Sequence, residues 1–220
     1  MEEIATGPRE REVVYRRRSR APWVLALLGI AVLLGIGALW AAGGYNGLVR
    51  SDQAVRAQWA QVENAYQRRS DLIPNLVQTV KGAAAFEQET FTQVAEARAS
   101  VGQLSAQATR DVLENPEAFA RLQQAQDGLS SALSRLMVVA ERYPELKATQ
   151  NFRDLQAQLE GSENRIAVER MRFNEAARDF NIRRNRFPTV FLANMFGQRF
   201  AEKPYFQARA GAEVPPPVRF

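Results

Sequence analysis

The chain has 220 residues, with 29 Lys and Arg against 24 Asp and Glu, and contains neither His nor Cys. Those two absences exclude Ser-His-Asp and Cys-His nucleophile arrangements, metal sites built on imidazole or thiolate, disulfides and an acylated cysteine anchor. No Gly-rich phosphate loop of either common pattern is present, so composition points away from an enzyme and toward no cofactor and no metal.

Residues 1–20 form a basic arm with six Arg and four Glu, and Arg16, Arg17, Arg18 and Arg20 crowd its end. Residues 21–43 read as an anchor. From Trp23 to Ala42 there is no charged side chain, and about 20 apolar residues are what an α-helix needs to cross a bilayer core of roughly 30 Å. Lipid offers the backbone no partners, so the segment must be helical. Trp23 and Trp40 stand near its ends, where indole rings favour the headgroup boundary. Beyond the run the first basic residues are Arg50 and Arg56. Lys and Arg are retained on the cytoplasmic side, so the sequence predicts a single pass through a cell inner membrane with the N-terminus inside and everything from about Tyr45 outside. The run is longer than the roughly 7–15 residues of a signal core, although Ala41 and Gly43 offer small residues for a cleavage site. Gly37 and Ala41 have the small-x-x-x-small spacing of associating membrane helices, which admits a homo-oligomer.

Subtracting the arm's six Arg and four Glu leaves 23 basic and 20 acidic residues in the body, with no block of one sign, which argues against nucleic acid as a partner. From residue 48 to 101, Val55, Trp59, Val62, Tyr66, Ile73, Leu76, Val80, Phe91, Val94 and Ala97 recur at helical spacing. Pro74 removes a donor and predicts a kink, and Gly82 and Gly102 weaken the helix further. Asn115-Pro116-Glu117 has the order cap, first-turn proline, acid, and opens a helix carrying Phe119, Leu122, Leu129, Leu133, Leu136 and Ala140. Pro144 should end or bend that helix. A short helix around Phe152, Leu155 and Leu159 is expected to close at Gly161. Another should begin at Ser162, bury Ile166, Phe173, Ala177 and Phe180, and end at Arg183, Arg184 and Arg186. No stretch alternates long enough for a strand. The fold class is all-α: an antiparallel up-and-down bundle of long, kinked helices over residues 45–187, after one N-terminal transmembrane helix. Residues 188–220 form an aromatic tail, with Phe191, Met195, Phe196, Phe200, Tyr205 and Phe206, ending in Pro215-Pro216-Pro217. Phe191, Phe196 and Phe200 are its candidate contacts. They either cover the bundle or dip into a membrane surface.

Several segments resemble the LemA family: Tyr45-Asn46, RRSDLIPNLVQTVKG from Arg68 to Gly82, AERYPELKATQNFRDLQAQLEGSENRIAVERMRFNEAARDFN from Ala140 to Asn181, Phe187-Pro188, and Val218-Arg219-Phe220. The resemblance covers nearly everything from Tyr45 onward. It implies one N-terminal anchor and a bundle of long antiparallel helices, and it carries no catalytic residue across. Where some relatives have an acylated Cys before Tyr-Asn, this chain has Gly43-Gly44. A topology with the bundle in the cytoplasm has been proposed for members, opposite to what the Arg cluster predicts.

Arg68, Arg69, Asp71 and Asn75 form the candidate interaction patch. One reading makes them a polar recognition surface beside a kink. The other has Asp71 and Asn75 satisfying backbone groups freed by Pro74. Glu141, Arg142, Asn151, Glu163, Asn164, Arg165 and Asn174 raise the question of hydrogen bonds between helices. The expected function is a non-enzymatic scaffold or adaptor at the membrane, with the lipid bilayer and membrane-proximal proteins as partners. The alternative is a membrane-remodelling or lipid-surface protein. A carboxylate-only hydrolase is a third class, for which no acid pair can be nominated.

Overall fold

The computed structural model of the chain describes residues 21–84, 87–108 and 112–208. The arginine-rich arm and the closing Pro215-to-Phe220 segment lie outside the described residues. Seven elements follow in order: α1 (Ala21–Ala83), α2 (Gln88–Ala108), α3 (Pro116–Glu141), α4 (Pro144–Lys147), α5 (Gln150–Asn185), α6 (Thr189–Met195) and a 3-10 turn (Gly197–Phe200). Among the described residues there is no strand. The chain divides into two compact units between Ala42 and Gly43.

The described part of the first unit is helix alone. Every large apolar side chain from Trp23 to Trp40 is exposed, with Leu39 at 78% and Trp23 at 76%. The segment is long and apolar enough to cross a membrane. Its large apolar side chains are exposed, unlike those of a buried core helix, so protein packing does not shelter them from water.

The second unit is built on α1 and α5, whose pairing is antiparallel. Along α1 the contacts climb from Gly47 through Gln58 and Arg69 to Thr79, while their α5 partners fall from Arg183 through Glu169 and Glu163 to Asn151. Helix α3 rises with α1: Trp59 meets Phe119 and Arg69 meets Gln126. Helix α2 packs against α3. The core runs through Ile73, Leu76 and Val80 of α1, Phe91 and Val94 of α2, Leu129, Leu133 and Leu136 of α3, and Phe152, Leu155 and Leu159 of α5. At about 1.5–3 kcal/mol for each fully buried large side chain, this one interior outweighs any single polar contact in the molecule.

The caps follow the sequence closely at α3. Asn115 Oδ1 accepts from the backbone N–H of Glu117 at 3.0 Å and of Ala118 at 3.2 Å, Pro116 takes the first helical position, and Glu117 faces the positive helix end. Helix α3 ends at Glu141, before Pro144, and α4 is a single turn. Thr149 then caps α5.

One expectation is corrected. The chain does not close a helix at Gly161: α5 runs unbroken through it to Asn185. Gly161 has nothing within 4 Å of where a Cβ would lie, and the buried Leu159 and Ile166 on either side hold the helix against the core. That burial offsets the roughly 1 kcal/mol helix penalty of glycine. Pro74 lies inside α1, with Ile73 and Leu76 both buried beside it; α1 continues to Ala83 and α2 begins at Gln88.

Candidate functional site

The four residues of the sequence-derived patch do not share a surface. Arg69 lies inside the second unit, 1% exposed, while Arg68, Asp71 and Asn75 are exposed on α1. Asp71 accepts a hydrogen bond from Gln67 at 2.7 Å, and the Asn75 carbonyl accepts from Thr79. Pro74 lines a cavity of about 480 Å³ between α1 and α2, together with Phe91, Val94 and Arg98.

Arg69 joins three helices. Its Nη1 donates to Ser130 Oγ at 2.6 Å and to Glu163 Oε1 at 2.8 Å, and its Nη2 donates to the side chain of Gln126, itself 1% exposed. A planar guanidinium is the one side chain that offers this many fixed donors from an inner helix face. About two turns further toward the C-terminal end of α5 than Glu163, Arg170 pairs with Asp127 at 3.1 Å and donates to the Tyr66 hydroxyl at 2.9 Å. Both guanidinium groups stand against the Tyr66 ring, at 5.7 and 5.6 Å. Asp127, Ser130, Glu163, Asn164 and Arg170 line an open groove of about 610 Å³ between α3 and α5.

Glu169, 3% exposed, is the buried charged residue of α5. It accepts from Gln58 of α1 at 2.7 Å and pairs with Arg165 at 3.4 Å and Arg172 at 3.1 Å. Burial pushes its carboxyl up, but the hydrogen bonds from Gln58 and Arg165 and the charge of Arg172 outweigh it, leaving Glu169 below its ordinary value. Among the other polar residues noted in the sequence, Arg142 pairs with Glu87, Glu141 with Lys147, and Asn151 reaches Thr79 at 3.4 Å. These contacts are exposed and contribute little.

A second constellation holds the chain after the 3-10 turn. Residues 201–208 run extended along the bundle, and side-chain amides clasp their backbone. Asn181 donates to the Lys203 carbonyl and accepts from its N–H, both at 2.9 Å. Asn174 does the same to Phe206, at 3.0 and 2.9 Å, and Gln123 brackets Gln207. An amide carries a donor and an acceptor side by side, so it substitutes for a neighbouring strand. Lys203, fully buried on its side chain, stands 2.8 Å from Asp52 Oδ1. Asp52 also pairs with Arg56, and Arg56 with Glu114. The Phe206 ring closes a cluster with Trp59, Phe119 and Phe173 at centroid distances of 4.7 to 6.1 Å.

The aromatic tail therefore divides. Phe200 and Phe206 pack inward, while Phe191 and Phe196 are 64% and 44% exposed. Sequence reasoning passed over Gln126, Lys203, Asp52 and Glu169. Gln126, Asp52 and Glu169 sit at helical spacing among ordinary polar residues, and partners lie up to 151 positions away along the chain, as Lys203 is from Asp52. Among the described residues no group of three or more acids is placed to hold a metal ion.

The chain is 29% identical to magnetosome protein MamQ 2 of Paramagnetospirillum magneticum, over 91% of this chain and 78% of that relative. It is 28% identical to magnetosome protein MamQ of Magnetospirillum gryphiswaldense over the same shares. The LemA family model matches residues 58–220. That stretch holds the Arg69 junction, the amide clasps and the aromatic cluster, and by this match the chain belongs to the LemA family.

Proposed function

We propose that the protein is a membrane-anchored helical scaffold without catalytic chemistry of its own, presenting long helix faces to proteins beside the membrane. The carrying observation is how the polar residues of the Arg68-to-Gly82 and Ala140-to-Asn181 segments are used. Arg69, Glu163, Glu169, Arg170, Asn174 and Asn181 are committed to one another or to the tail backbone. Groups held this way keep helices in register instead of meeting a substrate. The exposed apolar helix from Trp23 to Trp40 supplies the anchor, and the similarity to proteins named for the magnetosome supports membrane association. The arginines at the inner end of the anchor favour an extracytoplasmic bundle.

The test is photocrosslinking in intact cells from exposed positions on α1, α3 and α5, with membranes isolated afterwards. A discrete adduct restricted to neighbouring positions on one helix face supports the scaffold. Adducts absent from every face, in protein that fractionates with membranes, refute it. External protease added to spheroplasts decides the topology: digestion of a tag after Phe220 places the bundle outside, and digestion only after lysis places it in the cytoplasm. The second reading, a lipid-surface protein, draws on the exposed Phe191 and Phe196. It requires liposome flotation that is lost when the chain is cut after Phe187.

A further inference from the structure

The second unit carries one exposed apolar patch that its own core does not explain. Phe187, Phe191 and Met195 recur every four residues at 75%, 64% and 71% exposure. The opposite face of α6 is spent on Leu192 and Ala193, both buried. Leu192 lies so close to Gly44 that a Cβ there would stand 2.8 Å from its Cδ1, so α6 is fixed in place and its outer face is held out. The patch is also preformed: Phe187 meets Phe191 edge-on at 5.9 Å, and Phe196 packs on Tyr45 at 5.0 Å.

Two observations say what covers it. Tyr45 follows Ala42, the last residue of the apolar run, by three residues. Three residues of chain reach no more than about 11 Å. The Tyr45–Phe196 contact therefore tethers the patch beside the point where the apolar helix ends, whatever the arrangement of the two units. The charge is one-sided as well: between Ile182 and Ala201 there are four arginines and no acid. Arg184 is committed to the Phe200 carbonyl at 2.6 Å, while Arg183, Arg186 and Arg199 are exposed. Aromatic and Met side chains ringed by arginine suit the boundary between headgroups and acyl chains, where the rings enter the apolar layer and the guanidinium groups meet phosphate.

We propose that α6 and the turn before it are an interfacial lipid-docking site, seated on anionic headgroups of the bilayer that the Trp23–Ala42 helix crosses. This rests on the anchor reading above. It gives the scaffold a second membrane contact in addition to the anchor.

The chain contains no native cysteine, so single nitroxide labels can be placed in the full-length protein. Phe191→Cys is the test position, Leu33→Cys the lipid reference and Gln158→Cys the water reference, in vesicles of three parts phosphatidylcholine to one of phosphatidylglycerol. The ratio of collisions with oxygen to collisions with a water-soluble nickel chelate is the readout. Interfacial burial predicts a ratio at position 191 about five-fold or more above that at 158. The triple change Arg183→Gln, Arg186→Gln, Arg199→Gln should bring it down in these vesicles. A ratio at 191 equal to that at 158, with position 33 reading lipid, overturns the docking site and leaves the anchor standing. Water-like values at position 33 overturn the anchor itself. Low access to both reagents at 191 means that protein, not lipid, covers the patch, and also overturns the proposal.

Discussion

Charge burial at Arg69 has an asymmetric consequence that stability measurements can read. Arg69 is 1% exposed, whereas the side chain of its counter-ion Glu163 is 37% exposed. Replacing Arg69 by Met leaves a carboxylate that water can reach, so the cost comes mainly from Gln126, a buried amide without its partner. That is about 2 kcal/mol. Replacing Glu163 by Gln keeps an acceptor for Nη1 but strands a cation that water cannot reach, and the cost rises to about 3 kcal/mol, the low end for a broken buried pair. Once Arg69 is gone there is no cation left to strand. Adding Glu163→Gln to Arg69→Met should therefore cost almost nothing more, with a coupling energy of about 3 kcal/mol. The assay is urea unfolding of residues 43–220 followed by circular dichroism, the midpoint and slope giving the free energy. Additive single effects, or a larger loss from Arg69→Met than from Glu163→Gln, would refute the reasoning.

Three further outcomes follow from the same structure. Gly161→Ala should stabilise the bundle by about 1 kcal/mol, because the site is open and interior to α5; a loss of stability by thermal melt would mean a helix end stands there. Phe206→Ala should cost about 3 kcal/mol, since it opens the ring cluster around Trp59, and should alter Trp59 emission; an unchanged spectrum would argue that the tail does not occupy its clasp. Glu169 contributes stability that is full above the ordinary carboxylate value, because its folded value is lowered, and that is lost as pH falls through the folded value. Glu169→Gln should therefore flatten the acid limb of the stability profile below about pH 4.5, and an identical acid limb in both proteins would count against the Gln58–Glu169–Arg172 arrangement.

How much of this was legible beforehand differs between elements. The α3 start could be read from three consecutive residues, since a cap, a first-turn proline and an acid act within one turn of backbone. The core faces of α1, α3 and α5 were legible for a similar reason: Val55, Trp59, Leu129, Leu136, Ile166 and Phe173 announce themselves by spacing. Gly161 misled because a glycine that caps a helix and one inside it look alike in sequence. What separates them is burial on both sides, a property of the packed molecule. The patch of Arg68, Arg69, Asp71 and Asn75 was a grouping by adjacency, and the helix distributes such neighbours to different faces, turning Arg69 inward and leaving the rest outside.

The amino-acid sequence by itself determined the apolar N-terminal helix and the all-α class, because hydropathy and helical period are local properties that need no partner to express themselves, and it carried the family in the segments from Arg68 to Gly82 and from Ala140 to Asn181. The tertiary structure alone decided which polar groups became interior joints. Arg69 with Gln126 and Glu163, Lys203 with Asp52, and Asn174 and Asn181 with the tail backbone are pairings across 57, 94, 151, 32 and 22 positions respectively. A buried charge or amide is tolerated only where its partner arrives by packing, and no local pattern encodes where that partner will be.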